Sequence, residues 1–502
     1  MAPFLDDKIP AVSGQPKLSY ANGNSREHAV SSCAEATRVG HISNDEDFDL
    51  ICVGFGPASL AIAIALHDAN ANDEKNGRSS CLPRVCFLEK QRSFRWHAGM
   101  LVPGSKMQIS FVKDLATLRD PTSKFTFLNY LKNKNRLVQF ANLGTFLPSR
   151  MEFEDYLRWC AEHFSEDVKY GQEVTKIKPV RSFPQKSKIN SFTVESRDHM
   201  TGENVSRRAR HVVIAVGGRP NISAPFPQRH PRVIHSSSYC NSIPRLLTSK
   251  QDPYSIAIVG SGQSAAEIFN DLQTRYPNAR TALIIKDTAL RPSDDSPFVN
   301  EIFHPERVDE FYQLPQMQRG KTLESNRSTN YGVVRLELLE QIYHNLYQQR
   351  IQEPDEQAWQ HRILASRRVL NVQELQNEGL MLTMDKTDPI DKEDPEFLKV
   401  DALIVATGYT RDAHEDMLKD LLHLNPNPTG GWQVGRNYKL GLKKDLVDED
   451  AGIWLQGSNE SSHGISDTLL SILATRSGEI VESIFGRKLK GIGDLGQGPM
   501  ES

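Results

Sequence analysis

Two stretches of this chain repeat one local grammar, and that repetition limits the fold more than any bulk property. Asp47–Val53 reads as a strand, Gly54-Phe-Gly56-Pro-Ala-Ser59 as a tight turn, and Ala58–His67 as a helix. A polar insertion follows at Asn70–Pro83, and then the apolar run Arg84–Leu88 ends at Glu89. Strand, turn, helix, strand is the order of a parallel βαβ unit. The same order returns at Tyr254–Val259, Gly260-Ser-Gly262-Gln-Ser-Ala265, helix Ser264–Tyr276 and strand Thr281–Ile285. Apolar runs at Val212–Gly218 and Asp401–Tyr409 read as strands returning to a central sheet, so the first domain is expected to be interrupted and completed later. The uncharged run Leu50–Leu66 is short for a membrane span and is broken by Gly54, Gly56 and Pro57. We read it as a buried strand, a turn and a buried helix.

The glycines carry a chemical implication. Gly54 permits the tight turn, Gly56 lets backbone approach a pyrophosphate, and the helix start at Pro57 and Ala58 offers unpaired N–H groups to phosphate. Ser59 stands where a third glycine is usual, a small residue for a small residue. Glu89 closes the next strand, where an acid can bind both ribose hydroxyls. In the second unit, Gly260, Ser261, Gly262, Gln263 and Ser264 repeat the turn, but the following strand ends at Lys286. A lysine there can pair with a 2′-phosphate, which points to NADPH over NADH. Two dinucleotide sites in one chain suggest a flavin at one and a nicotinamide at the other.

Composition narrows the class further. With 502 residues the chain has room for two or three domains, and 60 basic against 63 acidic residues leave a net charge of −3. No basic field exists to favour nucleic acid or an anionic membrane. Six scattered cysteines argue against a secreted disulfide framework, and the polar first 45 residues hold no apolar signal block. A cytosolic location follows as the expectation. Cys81 and Cys86 have the spacing of a redox pair, but Cys86 lies inside an apolar strand, so a structural role is expected. No clustered His or Cys residues suggest a metal.

The run Phe94-Arg-Trp-His-Ala-Gly-Met100-Leu-Val-Pro-Gly-Ser-Lys106-Met-Gln108 resembles the flavin and substrate segment of the lysine/ornithine N-monooxygenases, a family of N-hydroxylating flavoenzymes. Asp114–Pro121, Ser293–Glu301, Thr329–Tyr331, Ala406–Tyr409 and Ser466–Ser471 match the same family, so the resemblance spans about residues 47–487. It implies an α/β fold with two Rossmann-like dinucleotide-binding domains, for FAD and NADPH, and a smaller, mostly helical substrate-binding segment. The expected boundaries are a disordered tail at 1–45, the first part of the FAD domain at 46–250 and that of the NADPH domain at 251–295. The substrate segment is expected at 296–365, the rest of the NADPH domain at 366–410, the rest of the FAD domain at 411–487 and a flexible tail at 488–502.

The resemblance also assigns residues. Lys106 pairs with the α-carboxylate of L-ornithine, Asn300, Glu301, Ile302 and Phe303 add substrate contacts, and Ser471 lies near the substrate. Asn330 stands beside the nicotinamide ribose and the reacting amine, with Tyr331 and Gly332 adjoining it on the NADPH side. Lys90, Trp96, His97, Met100, Gln108, Val174, Thr468, Leu469 and Leu470 join the FAD contacts. Lys286 stands where the family often has arginine. The implied reaction is hydroxylation of the ornithine side-chain amine with O₂ through a flavin C4a-hydroperoxide, the first step of hydroxamate siderophore biosynthesis and so of iron acquisition. A homotetramer is implied as well. Lysine hydroxylation, an NADPH-dependent disulfide reductase and a non-catalytic nucleotide-binding module are the alternatives.

Overall fold

The computed structural model describes residues 47–75, 82–180, 188–376, 378–387 and 394–486. The tails expected at 1–45 and 488–502, and Cys81, lie outside the described residues. In chain order the elements used below are strand β1 (Phe48–Val53), helix α1 (Pro57–Lys75), β2 (Val85–Glu89), α2 (Arg150–Glu162), β3 (Val168–Tyr170), β4 (Gln172–Pro179), β5 (Phe192–Asp198) and β6 (Asn204–Ile214). Next come β7 (Val233–His235), β8 (Ser255–Val259), α3 (Gln263–Arg275), β9 (Arg280–Ile284), α4 (Gln316–Asn330), α5 (Leu336–Gln352) and β10 (His361–Leu364). The last are β11 (Arg367–Leu375), β12 (Gly379–Lys386), β13 (Glu396–Val400), β14 (Ala402–Val405), β15 (Gly452–Leu455) and α6 (Leu473–Phe485).

The first sheet runs β3-β2-β1-β6-β5-β4, with β15 added on the carboxyl half of β6. Its β1, β2, β3, β15 and the carboxyl half of β6 are parallel, whereas β4, β5 and the amino half of β6 form an antiparallel meander. A second sheet, β10-β9-β8-β14-β7, is parallel throughout. Strands β11, β12 and β13 form a separate antiparallel sheet. The second sheet therefore takes β7 from before residue 250 and β10 from the segment expected to be helical, so both units draw on distant parts of the chain. That segment is otherwise mostly helical, dominated by α4 and α5.

Helix α1 explains the uncharged run: every residue from Leu60 to Leu66 is fully buried, as expected of a helix enclosed on all sides. It also corrects the reading of a polar insertion from Asn70, because the helix continues to Lys75. Asp68, buried near its middle, is paired with Arg119 at 2.7 Å, with both side chains under 10% exposed. Burial alone would raise its pKa, but the His67 hydrogen bond and the Arg119 cation hold it below the ordinary carboxylate value. The polar stretch is thus anchored by a partner 51 residues away, which no local pattern shows. The acidic, lysine-containing stretch 384–398, which by composition reads as a solvated loop, is strand at both ends, since Met384–Lys386 and Glu396–Leu398 belong to β12 and β13. Among the described residues, no helix is long and apolar enough to cross a membrane, and no cluster of His, Cys, Asp or Glu could hold a metal ion.

Candidate active site

Both glycine turns are built alike. The Gly54 N–H donates to the Leu88 carbonyl at 2.8 Å, and the Gly260 N–H to the Ile284 carbonyl at 3.1 Å. Gly54 has φ +90°, and a side chain there would lie 2.8 Å from the Ala215 carbonyl at the end of β6. Gly260 has φ +140°, and a side chain would collide with the Ala406 carbonyl at the end of β14. In each sheet the glycine thus sits where the strand order reverses, β1 beside β6 and β8 beside β14, which is where open α/β sheets bind ligands. Gly56 has open space within 4 Å of any added Cβ, as backbone approached by a pyrophosphate requires. The residues therefore fit a dinucleotide at each turn.

Glu89 is buried at the end of β2, and its carboxylate accepts the Phe55 N–H at 2.7 Å and the Gln91 N–H at 2.9 Å. It braces the glycine turn besides standing where a ribose would lie. Lys90 is exposed beside it, and Ser59 is fully buried at the start of α1.

The remaining candidates lie on separate segments of the chain. Asn330 ends α4, and Gly332 lies against the second turn, 3.7 Å from a Cβ placed on Gly262. The Tyr331 hydroxyl donates to Glu460 at 2.8 Å and also contacts Thr468, which ties this corner to the segment Thr468–Ser471. Ser471 is buried, while Leu469 and Leu470 are half-buried. Glu301–Phe303 packs against Ile465–Thr468, and Ile302 shares a cavity of about 320 Å³ with Ile465 and Ser466. Lys106 is exposed and lies 3.8 Å from Glu337 at the start of α5. Gln108 is exposed one step further along the same segment, and Lys286 is exposed beyond β9.

Some candidates are engaged elsewhere. The Asn300 amide donates to the carbonyls of Asp295 and Ser296, at 2.9 and 3.2 Å. Met100 packs with Ile234 and Tyr239, and Val174 packs with Cys86 and Leu88, so both side chains serve cores. Trp96 is buried against the first core. His97 has left-handed backbone at φ 46°, with its ring 6.2 Å from Tyr409. His97 is exposed, and desolvation by the protein around it, with the Arg150 and Arg411 cations, lowers its pKa. The Gln263 side chain is used at both ends: Nε2 donates to Glu267 at 2.9 Å, and Oε1 accepts the Arg335 N–H at 2.9 Å.

The sequence reading missed the ionic frame around these groups. Arg150 on α2 meets Glu267 on α3 through two bonds of 2.8 Å, and Asp467 meets Arg476 at 3.0 Å with both side chains sealed from solvent. One signal for Glu267 was present: a carboxylate inside the apolar run Ala265–Phe269 needs a partner. Cys86 is a buried core residue whose thiol burial raises to about 11, opposite to what a reactive cysteine needs.

One mixed sheet and one parallel sheet, each carrying a glycine turn between parallel strands at its reversal point and joined by such a frame, define the class of two-dinucleotide oxidoreductases. A family model described as L-lysine 6-monooxygenase/L-ornithine 5-monooxygenase matches residues 46–411. An Emericella nidulans protein named L-ornithine N(5)-monooxygenase is 56% identical over 460 residues, covering 90% of this chain and 92% of that protein. Among solved structures, the ornithine hydroxylase PvdA of Pseudomonas aeruginosa is 38% identical with a TM-score of 0.78, covering 88% of this chain and 100% of its own. The ornithine N-hydroxylase KtzI of Kutzneria sp. 744, described with reduced FAD, NADP⁺ and L-ornithine, is 34% identical with a TM-score of 0.77 and the same coverage. The chain belongs to the L-lysine 6-monooxygenase/L-ornithine 5-monooxygenase family.

Proposed function

We propose that this enzyme hydroxylates the side-chain amine of L-ornithine, with FAD held at the Gly54–Ser59 turn and NADPH at the Gly260–Ser264 turn. The observation that supports the reading is how the two residues that follow Asn330 are placed, Gly332 meeting the second turn and Tyr331 meeting Thr468. The 56% identity to a relative named for this reaction supports ornithine as substrate. Bound FAD, reduced by NADPH, supplies O₂ activation: one oxygen atom enters the N–H bond of the amine to give a hydroxylamine, and the other leaves as water.

The chain's own residues bind and orient. Lys106 takes the substrate α-carboxylate in place of its weak, exposed contact with Glu337. Asn330, at the end of α4, holds the amine and the nicotinamide ribose together. Asn300 stays fixed by its loop bonds and presents its remaining oxygen to the amino-acid head. The amine must react in its neutral form, and its pKa in water is about 10.4, so the pocket has to shed one proton from it. Family resemblance supports a homotetramer, a cytosolic location and a place in hydroxamate siderophore biosynthesis and iron acquisition.

The test is a coupled assay with FAD, NADPH and O₂ that follows hydroxylamine from L-ornithine and L-lysine alongside hydrogen peroxide. Hydroxylated ornithine is the expected product. Product from lysine instead would move the substrate by one methylene, a distinction worth only about 1–3 kcal/mol. NADPH oxidation yielding only peroxide would remove both amino acids as substrates.

A further inference from the structure

The segment Met100–Met107 is tied at both ends to one helix of the second sheet. At its start, the Arg150 Nη1 donates to the Met100 carbonyl at 2.9 Å while the same guanidinium clasps Glu267. At its end, the Arg335 Nη1 donates to the Met107 carbonyl at 3.3 Å, and the Arg335 N–H is held by Gln263. Gln263 and Glu267 are joined to each other, one turn apart on α3. The bonds close a ring: Met100, Arg150, Glu267, Gln263, Arg335, Met107 and back along the chain through Lys106. Arg150 and Glu267 are 13% and 5% exposed at their side chains, so water competes little for these bonds.

We propose that Glu267 is a positioning residue for substrate binding. Through this ring it sets the Met100–Met107 segment, and so the Lys106 ammonium, from the helix that opens the second dinucleotide site. Its carboxylate is the junction, since Oε1 and Oε2 take Arg150 and Oε1 also takes Gln263. The role rests on Lys106 being the carboxylate anchor of the proposed reaction.

A closed ring has a signature that a simple stabilising contact lacks. Backbone bonds from Met107 to Pro148 and from Arg150 to Ser105 also hold the segment, so cutting the ring loosens it without releasing it, and two cuts within the one network couple and do not add. Glu267→Gln and Arg335→Gln act at separate links. Each is expected to raise the KM for L-ornithine about tenfold, and the double variant is expected to stay near tenfold. Hydrogen–deuterium exchange of the FAD-loaded protein gives a readout independent of turnover: amides of residues 100–108 exchange faster in either single variant, and no faster in the double.

Single variants within about twofold of the parent in KM and in exchange would overturn the proposal, and so would a double variant near the hundredfold product. Should Glu267→Gln fail to fold, Arg150→Lys opens the neighbouring link and takes its place in the cycle. If the parent enzyme does not hydroxylate ornithine, the functional reading fails, and the exchange experiment still decides the ring.

Discussion

The backbone N–H of Phe55, inside the first glycine turn, donates to Oε2 of Glu89 at 2.7 Å. With Oε1 accepting from Gln91, the carboxylate ties the turn to the end of β2 and is buried in doing so. Glu89 therefore braces the backbone that would receive a pyrophosphate. Glu89→Ala leaves the buried Phe55 N–H without its partner, at a cost of about 1–3 kcal/mol. The purified variant is expected to lose FAD, read as the flavin-to-protein absorbance ratio. A ratio equal to that of the parent would remove Glu89 from the site.

The two glycine turns predict separable losses. Gly54→Ala places a Cβ 2.8 Å from the Ala215 carbonyl at φ +90°, a strain of at least roughly 1–2 kcal/mol. Gly260→Val meets the Ala406 carbonyl in the second sheet. The first change is expected to empty the protein of flavin, and the second to retain flavin while abolishing its reduction by NADPH. Flavin loss as the main effect of Gly260→Val would mean that the two sites are reversed.

Lys106 stands exposed, and among the described residues its ammonium has a 3.8 Å contact with Glu337 to give up. Losing a charge-assisted bond to a carboxylate costs about 1.5–3 kcal/mol, so Lys106→Ala should raise the ornithine KM by roughly ten- to a hundredfold. Stopped-flow reduction of the flavin by NADPH should change little. Equal damage to both steps would show that Lys106 supports the fold and not the substrate.

Acid should weaken the fold through its buried histidines. Desolvation, helped at His211 by the Arg210 and Lys439 cations, pushes His211 and His463 down to about 4, whereas an unfolded histidine titrates near 6.5. A depressed folded pKa gives stability that is complete above the unfolded value and is lost as pH falls toward the folded one. Each ring therefore removes on the order of 2 kcal/mol by pH 5. Chemical denaturation should show a falling midpoint between pH 7 and pH 5, with part of the loss absent in His463→Gln. Identical pH dependence in that variant would exclude His463 as a source.

Much of this architecture was legible in the sequence because it rests on short-range rules. Apolar runs that end in glycine, followed by helix formers, specify strand, tight turn and helix within about ten residues, and β1–α1 and β8–α3 follow them closely. Glu89 and Lys286 were found for the same reason, as the residues that close or follow the next strand. Lys106, Asn300, Asn330 and Ser471 carry no such local signature and were picked out only by family resemblance.

Other features depended on partners that no local pattern reveals. Asp68 in the continuation of α1 pairs with Arg119, and Gln263 bridges Arg335 and Glu267. Packing took Met100 and Val174 into cores, and register brought β7 and β10 into the second sheet. The sequence alone determined the two dinucleotide units and the order of their parts, since backbone conformation and burial pattern are local. Which charged and polar side chains face one another was decided by the tertiary structure, because a buried charge must find an opposite partner wherever folding brings one within reach.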